Sequence, residues 1–220
     1  MSSLRISILT ALMGATLLSS PSFAQTATGT GATASGPNST ATGEYAQASG
    51  PNATATGAYA NASGDGAIAT GVQASASADN AIASGTNAQA SGVNSIATGQ
   101  GANATAVNAV ATGTLSYASG EAANAVATGT LSYASGEAAI ALGTQSAATG
   151  VHSLVVGVQS QASGDLSMSI GYFSRSRGNA SIAQGNLAQA NADHAVALGS
   201  SAVADARQSV AVGVGAESRA

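Results

Sequence analysis

Residues 92–105 read GVNSIATGQGANAT, and nearly the whole chain after residue 28 is a variation on this stretch. It divides into two heptads, GVNSIAT and GQGANAT, which each begin with a small residue. We call this residue position one, and it returns every seven residues almost to the end of the chain. A period that holds over so many copies indicates a repeat architecture. The unbroken repeat predicts one elongated domain.

Each heptad combines a turn with a short strand. Position three often carries Asn or Gly, which tolerate a left-handed backbone, and Pro37 and Pro51 occupy position two. Positions four to seven alternate small and larger side chains, as in SIAT and AVAL, a pattern typical of a β-strand. Position one accepts Ala as well as Gly. We therefore expect it to require a small volume rather than a left-handed dihedral angle.

Two kinds of heptad alternate, so the complete repeat is about fourteen residues long. In one kind, position five is aliphatic and forms a row that we call the ridge: Ile68, Ile82, Ile96, Val110, Val126, Ile140, Leu154, Met168, Ile182, Val196 and Val210. In the other kind, position five is mostly polar, as in Ser75, Gln89 and Asn103. Two short strands per coil, in two chemically different series, predict an all-β fold: a parallel β-solenoid with two sheets.

Side-chain size predicts which face of each strand points inward. Positions four and six are Ala or Ser in almost every heptad, with Val155 as the main exception, and they alternate across the strand with positions five and seven. Sheets normally lie about 10 Å apart, and so small a lining would leave voids at that spacing. We therefore predict two sheets that nearly touch, with the ridge outside. A long exposed apolar stripe indicates an interface.

The repeats AIATG, NSIATG, NAVATG, AIALG and HAVALG alternate with GxxAxAS segments. This pattern resembles the YadA-like head of trimeric autotransporter adhesins, over about residues 29–220. The resemblance implies a left-handed parallel β-roll, a homotrimer joined along the ridge, and adhesion to extracellular matrix proteins or other host surfaces. Handedness is implied by the resemblance alone, because ordinary parallel crossovers are right-handed.

Residues 1–24 have the features of a secretory signal peptide. Arg5 precedes an apolar run, and the triplet SFA at 22–24 is a small-x-small cleavage site. The apolar run is too short for a membrane span. We expect an exported protein whose mature chain starts at Gln25.

The remaining chain is assigned to a lead-in over 25–35 and a head-like β-roll over 36–220. The repeat continues to Ala220, and no coiled-coil pattern follows it. We expect these residues to contain no stalk or membrane anchor and not to insert into a membrane. The expected location is the cell surface or outer membrane if the chain belongs to a longer autotransporter, and otherwise secreted or periplasmic.

The composition limits the classes of function. The chain has no Cys, which excludes disulfides and thiol chemistry. Asp and Glu number 9 against 5 Arg and Lys, a net charge of −4, which argues against nucleic acid as a partner. No set of acids, bases or metal ligands clusters in the pattern, so we predict neither an enzyme nor a metal or cofactor site.

Acidic residues recur at position two of the ridge-bearing heptads: Asp65, Asp79, Glu121, Glu137, Asp165 and Asp193. We expect them to form a solvated edge that blocks aggregation, with cation binding as the alternative. His152 and His194 lie three coils apart, roughly 14 Å by the strand spacing, which is too far to share a metal ion.

Six residues are candidates for ligand binding because aromatic and Arg side chains are frequent in binding hot spots. They are Tyr117 and Tyr133, one coil apart on the polar sheet, and the cluster Tyr172, Phe173, Arg175 and Arg177.

Two segments depart from the regular repeat. In residues 29–63, position five is Thr, Gln or Asn, so the ridge is missing, and we expect either a trimer tip that is held more loosely or an end that frays. Residues 108–123 recur unchanged as 124–139, which lengthens the turn at 120–124 by two residues. We expect a small outward loop that preserves strand register, because a one-residue slip, not a two-residue slip, inverts the faces.

An adhesive surface fibre is the favoured interpretation, and an ice-binding solenoid is the alternative. Thr and Ser recur at position seven, as in Thr70, Ser77 and Thr98, which is the kind of array that ice binding would use. Admixed Ser and the later Leu142 and Val156 make this array irregular. Thermal hysteresis would distinguish the two functions.

Overall fold

The computed structural model describes residues 24–119 and 124–219. Within these ranges the chain forms a β-solenoid of two parallel sheets with fourteen strands each. Every coil contributes one strand of three residues to one sheet and one strand of two residues to the other. The predicted all-β parallel solenoid is confirmed. The described ranges contain no helix that could cross a membrane.

The ridge sheet contains the odd-numbered strands β1 (Thr26–Thr28), β3 (Thr40–Thr42), β5 (Thr54–Thr56), β7 (Ile68–Thr70), β9 (Ile82–Ser84), β11 (Ile96–Thr98), β13 (Val110–Thr112), β15 (Val126–Thr128), β17 (Ile140–Leu142), β19 (Leu154–Val156), β21 (Met168–Ile170), β23 (Ile182–Gln184), β25 (Val196–Leu198) and β27 (Val210–Val212). Each strand pairs with the strands of the preceding and following coils. Residues at the same heptad position are in register, as Ile96 is with Ile82 and Val110.

The polar sheet contains the even-numbered strands β2 (Thr33–Ala34), β4 (Gln47–Ala48), β6 (Asn61–Ala62), β8 (Ser75–Ala76), β10 (Gln89–Ala90), β12 (Asn103–Ala104), β14 (Tyr117–Ala118), β16 (Tyr133–Ala134), β18 (Ala147–Ala148), β20 (Gln161–Ala162), β22 (Arg175–Ser176), β24 (Gln189–Ala190), β26 (Val203–Ala204) and β28 (Glu217–Ser218). The first coil, β1 and β2, lies in the segment that the sequence assigns to a lead-in.

The interior is lined by small side chains, as the sequence predicts. Ser95 and Ala97 are fully buried, whereas Ile96 between them keeps 36% of its surface exposed. Val155 is the largest fully buried side chain in the described residues. Inward Ala and Ser therefore let the two sheets approach closely, and the larger side chains at positions five and seven point outward.

The turns confirm one expectation and correct another. Non-Gly residues at position three adopt positive φ, from 50° at Ala138 to 79° at Asn124. Position one divides into two classes, one for each edge of the roll. In the turns that precede polar-sheet strands, the residue at position one is always Gly, and its φ lies between 124° at Gly213 and 145° at Gly157. Before ridge strands φ is not positive, and Ala occurs there. The volume argument is therefore wrong for the first class, where the dihedral angle requires Gly.

The long turn leaves the strand register intact. Val110 in β13 pairs with Val126 in β15, sixteen residues further on, and the flanking pairs keep their positions. The expected loop itself lies at 120–123, outside the described residues, as does nearly all of the expected signal peptide, at 1–23. The coils at 29–63, which lack the ridge, pair as regularly as the others.

Candidate functional site

The ridge forms a continuous apolar row along the outside of the ridge sheet. In the isolated chain, the exposed fraction is 39% for Ile68, 36% for Ile96 and 58% for Val210, and the other eight ridge residues are half-buried. Towards the carboxyl end the apolar surface widens, because position seven changes from Thr to aliphatic residues such as Val156 and Val212, which are also exposed. The strand register aligns these side chains without a gap from β7 to β27. The predicted interface residues therefore share one face.

The edge of the roll that precedes the ridge strands carries ladders of polar side chains. The Nδ2 group of Asn80 donates to Oδ1 of Asn94 at 3.2 Å, and Asn94 donates in the same way to Asn108 at 3.1 Å. Asn108 continues the ladder to Asn124 at 3.2 Å, across the long turn. These bonds connect equivalent residues of successive coils, so the edge is held by side chains as well as by strands.

Two of the acidic residues at position two, Asp79 and Asp165, have a structural role that the sequence did not reveal, whereas Glu121 of the same set lies outside the described residues. The backbone N–H of Asp65 donates to Oδ1 of Asp79 at 3.0 Å, and that of Val151 donates to Oδ1 of Asp165 at 2.9 Å. These carboxylates satisfy turn N–H groups of the preceding coil. No group of three or more metal-binding side chains occurs in the described part of the chain.

The aromatic candidates form two separate groups. The rings of Tyr117 and Tyr133, on the neighbouring strands β14 and β16, stack with centroids 5.2 Å apart and planes 4° apart. Tyr172 and Phe173 meet edge to face at 4.5 Å in the turn before β22. Arg175 lies in β22, three strands along the polar sheet from Tyr133.

The remaining candidate, Arg177, follows β22. Its guanidinium donates to Oδ1 of Asn191, whose amide donates in turn to Asp205. Arg177 is thus part of an inter-coil polar ladder. The six candidates share the polar-sheet side of the roll without forming one pocket.

A second tyrosine pair went unnoticed at the level of sequence. Tyr45 and Tyr59 stack with centroids 5.3 Å apart, and they keep 45% and 53% of their surface exposed. Both lie at position three of turns that precede polar-sheet strands, with φ of 52° and 58°. The signal was available, because the near-copies SGPNSTATGEYAQA and SGPNATATGAYANA place Tyr at the same offset fourteen residues apart.

Comparison with known families agrees with this geometry. A family model described as the YadA head domain repeat, in two copies, matches residues 27–46, 34–60, 48–74, 62–88, 90–116, 118–146, 148–174, 176–202 and 190–216. A comparison with curated proteins finds no match. Since the family matches extend over most of the chain and follow the coils of the solenoid, the chain belongs to the YadA head domain repeat family.

Proposed function

We propose that the chain is the adhesive, non-catalytic head of an exported trimeric surface fibre. Three chains join along the ridge, and their outer faces attach to extracellular matrix proteins or other host surfaces. Family membership supports an adhesin-type function in general. The observation that carries the proposal for this chain is the ridge, which leaves a row of aliphatic side chains in water unless other chains cover it.

The ridge leaves apolar surface that association would bury. Full burial of one aliphatic side chain contributes roughly 1.5–3 kcal/mol, so the exposed part of Ile68, Ile96 or Val210 corresponds to about 0.5–1.5 kcal/mol, and that of each of the eight half-buried ridge residues to about 1 kcal/mol or less. Over the whole ridge this amounts to roughly 3–12 kcal/mol per chain, which falls in the range of the cost of association, about 4–15 kcal/mol. The Ala core buries little surface of its own, so the trimer supplies a large share of the stability.

Light scattering of residues 25–220 tests the trimer. We expect a trimer at micromolar concentration, and we expect Ile96→Asp with Ile140→Asp to give dissociated or unfolded chains. Gln89→Asp with Gln161→Asp is the matched control, because it places the same charges on the exposed polar sheet and should leave a trimer. A well-folded monomer of the unmutated protein would refute the proposal.

Adhesion is tested separately, with the unmutated trimer on surfaces coated with extracellular matrix proteins. Albumin-coated surfaces are the control. We expect retention on the matrix proteins only, and equal retention on both surfaces would contradict a specific adhesive role.

Ice binding is a second candidate, and one observation favours it. Position seven of the ridge sheet is Thr from β1 to β15 except at Ser84, and neighbouring strands align these residues, as in the pair Thr98 and Thr112. Ser77 and Ser91, which made the array irregular in the sequence, follow polar-sheet strands instead. The proposed trimer would cover this Thr row. We therefore expect no thermal hysteresis from the trimer, and measurable hysteresis would favour ice binding.

A further inference from the structure

Ala147 has the smallest outward side chain at position five of the polar sheet and lies between two long ones. Tyr133, Ala147 and Gln161 occupy the same position in the neighbouring strands β16, β18 and β20, and they pair in register. Ala147 presents only a methyl group between Tyr133 and Gln161, too small to fill the space that a long side chain would occupy there. The two flanking strands are two strand spacings apart, roughly 9.5 Å. This slot, with Ala147 as its floor, opens to solvent on the polar sheet.

The tyrosine pair forms one wall of the slot. Tyr117 covers one face of the Tyr133 ring at a centroid distance of 5.2 Å, and the other face of Tyr133 lies on the Ala147 side. Tyr133 keeps 40% of its surface exposed, whereas Tyr117, between Tyr133 and Asn103, is more buried. A further ring stacked on Tyr133 at the same spacing would lie directly over Ala147.

Two neutral polar side chains lie beside the slot. Thr149 lies two residues beyond Ala147 and therefore on the same face of the strand, and both Thr149 and Gln161 are exposed. The hydroxyl groups of Tyr133 and Thr149 and the amide group of Gln161 therefore lie near the apolar face of the Tyr133 ring. The occupant that matches this lining is flat, apolar on one face and rich in hydroxyl groups at its perimeter.

We propose that the slot binds one pyranose ring of a neutral glycan, stacked on Tyr133 over Ala147. The inference rests on the proposed adhesive function and specifies the chemistry of its ligand. A proline or aromatic side chain of a peptide would also stack on Tyr133, but it lacks the several perimeter hydroxyl groups that would exchange hydrogen bonds with Thr149, Gln161 and the Tyr133 phenol. Three copies of the slot in the trimer would convert weak binding of single sugars into avidity for a surface that carries many.

Surface plasmon resonance of trimeric residues 25–220 tests the slot. The probes are albumin conjugates that carry terminal glucose, galactose, mannose or N-acetylglucosamine, with unmodified albumin as the reference. We expect at least one conjugate to bind. Ala147→Tyr, which fills the slot, and Tyr133→Ala, which removes its wall, should each weaken that binding at least about tenfold. Tyr59→Ala, which removes an exposed stacked tyrosine elsewhere, should leave it unchanged.

The outcomes separate this proposal from the adhesive function. If no conjugate binds, or if Ala147→Tyr binds as well as the unmutated trimer, the glycan slot is refuted. If unmodified albumin binds and Ala147→Tyr abolishes that binding, the slot takes a peptide, which also refutes the glycan. Adhesion to matrix-coated surfaces that survives Ala147→Tyr would leave the adhesive function standing without the slot. Unchanged unfolding of Ala147→Tyr establishes that the variant is folded.

Discussion

Replacing two glycines, one on each edge of the roll, tests how the turns are built. Gly99 precedes a polar-sheet strand with φ of 127°, and a Cβ there would lie 2.6 Å from the carbonyl oxygen of Gly113. Gly92 precedes a ridge strand without positive φ, but a Cβ would lie even closer to the carbonyl oxygen of Ala106. Ala78 and Ala106 occupy the place that is equivalent to Gly92. The backbone dihedral angle and the carbonyl contact therefore predict opposite rankings of the two substitutions.

We expect the dihedral angle to dominate. An L-residue held in a backbone region that Gly alone adopts readily costs about 1–3 kcal/mol, and the 2.6 Å contact at Gly99 adds to this. At Gly92 the turn relaxes as it does at Ala78 and Ala106, and the lower entropy of the unfolded Ala chain favours folding by about 0.4–1 kcal/mol. Gly99→Ala should therefore lose about 2 kcal/mol or more, and Gly92→Ala should stay within about 1 kcal/mol of the unmutated protein.

Thermal unfolding followed by circular dichroism measures the difference. All variants are compared at one protein concentration, because the stability of an oligomer depends on it. At about 2–4 °C per kcal/mol, Gly99→Ala should lower the Tm by roughly 4 °C or more, and Gly92→Ala should change it by at most about 4 °C. If Gly92→Ala lowers the Tm as far as Gly99→Ala does, the carbonyl contact decides the cost and the argument from φ is refuted.

Two further pairs of substitutions test the core by urea unfolding. Ala97→Leu should overpack the interior and cost about 1–3 kcal/mol, while the outward Gln89→Leu should be nearly neutral, and equal losses would mean that the faces are assigned wrongly. Ser95→Ala should stabilise the fold by up to about 1–2 kcal/mol, because its buried hydroxyl has no hydrogen-bond partner. Ser116→Ala should instead cost about 0.5–1.5 kcal/mol, because that hydroxyl donates to the carbonyl oxygen of Gly113 at 2.9 Å. A larger loss of stability in Ser95→Ala than in Ser116→Ala would contradict this reasoning.

The fold was predictable because its rule is local and is repeated many times. In a strand, neighbouring side chains face opposite ways, so the triplet Ser95, Ile96 and Ala97 already shows which side has room for only small residues. Register was predictable for the same reason. The two extra residues before Val126 preserve the alternation, and β15 pairs with β13 as expected.

The difference between the two edges was not predictable from either heptad alone, because both begin with a small residue. The sequence shows this difference only in where Ala replaces Gly at position one. The four residues concerned all precede ridge strands: Ala78, Ala106, Ala192 and Ala206. Once the strands are assigned to their sheets, the asymmetry follows from the positive φ on the other edge.

Contacts between coils were hidden for a different reason. The recurrence of acids at position two is visible in the sequence, but a carboxylate there faces either solvent or the N–H of the previous turn, and only the coil geometry decides between them. Asp79 and Asp165 turn towards the previous coil. The slot beside Tyr133 depends on geometry in the same way, because Ala147 is unremarkable until the sheet places it between two long side chains.

The two outer faces of the roll are under different constraints in the proposed trimer. Every coil has nearly the same interior of Ala and Ser. A substitution at the outward position of a polar-sheet strand should therefore have little effect on the packing inside that coil. Position five of that sheet accordingly passes from Tyr133 to Ala147 to Gln161 to Arg175 within four coils. A ridge residue such as Ile140 would meet copies of itself near the three-fold axis, where one substitution acts three times. In the proposed trimer, binding chemistry would therefore belong on the polar sheet, where it could change one coil at a time while the ridge held the assembly together.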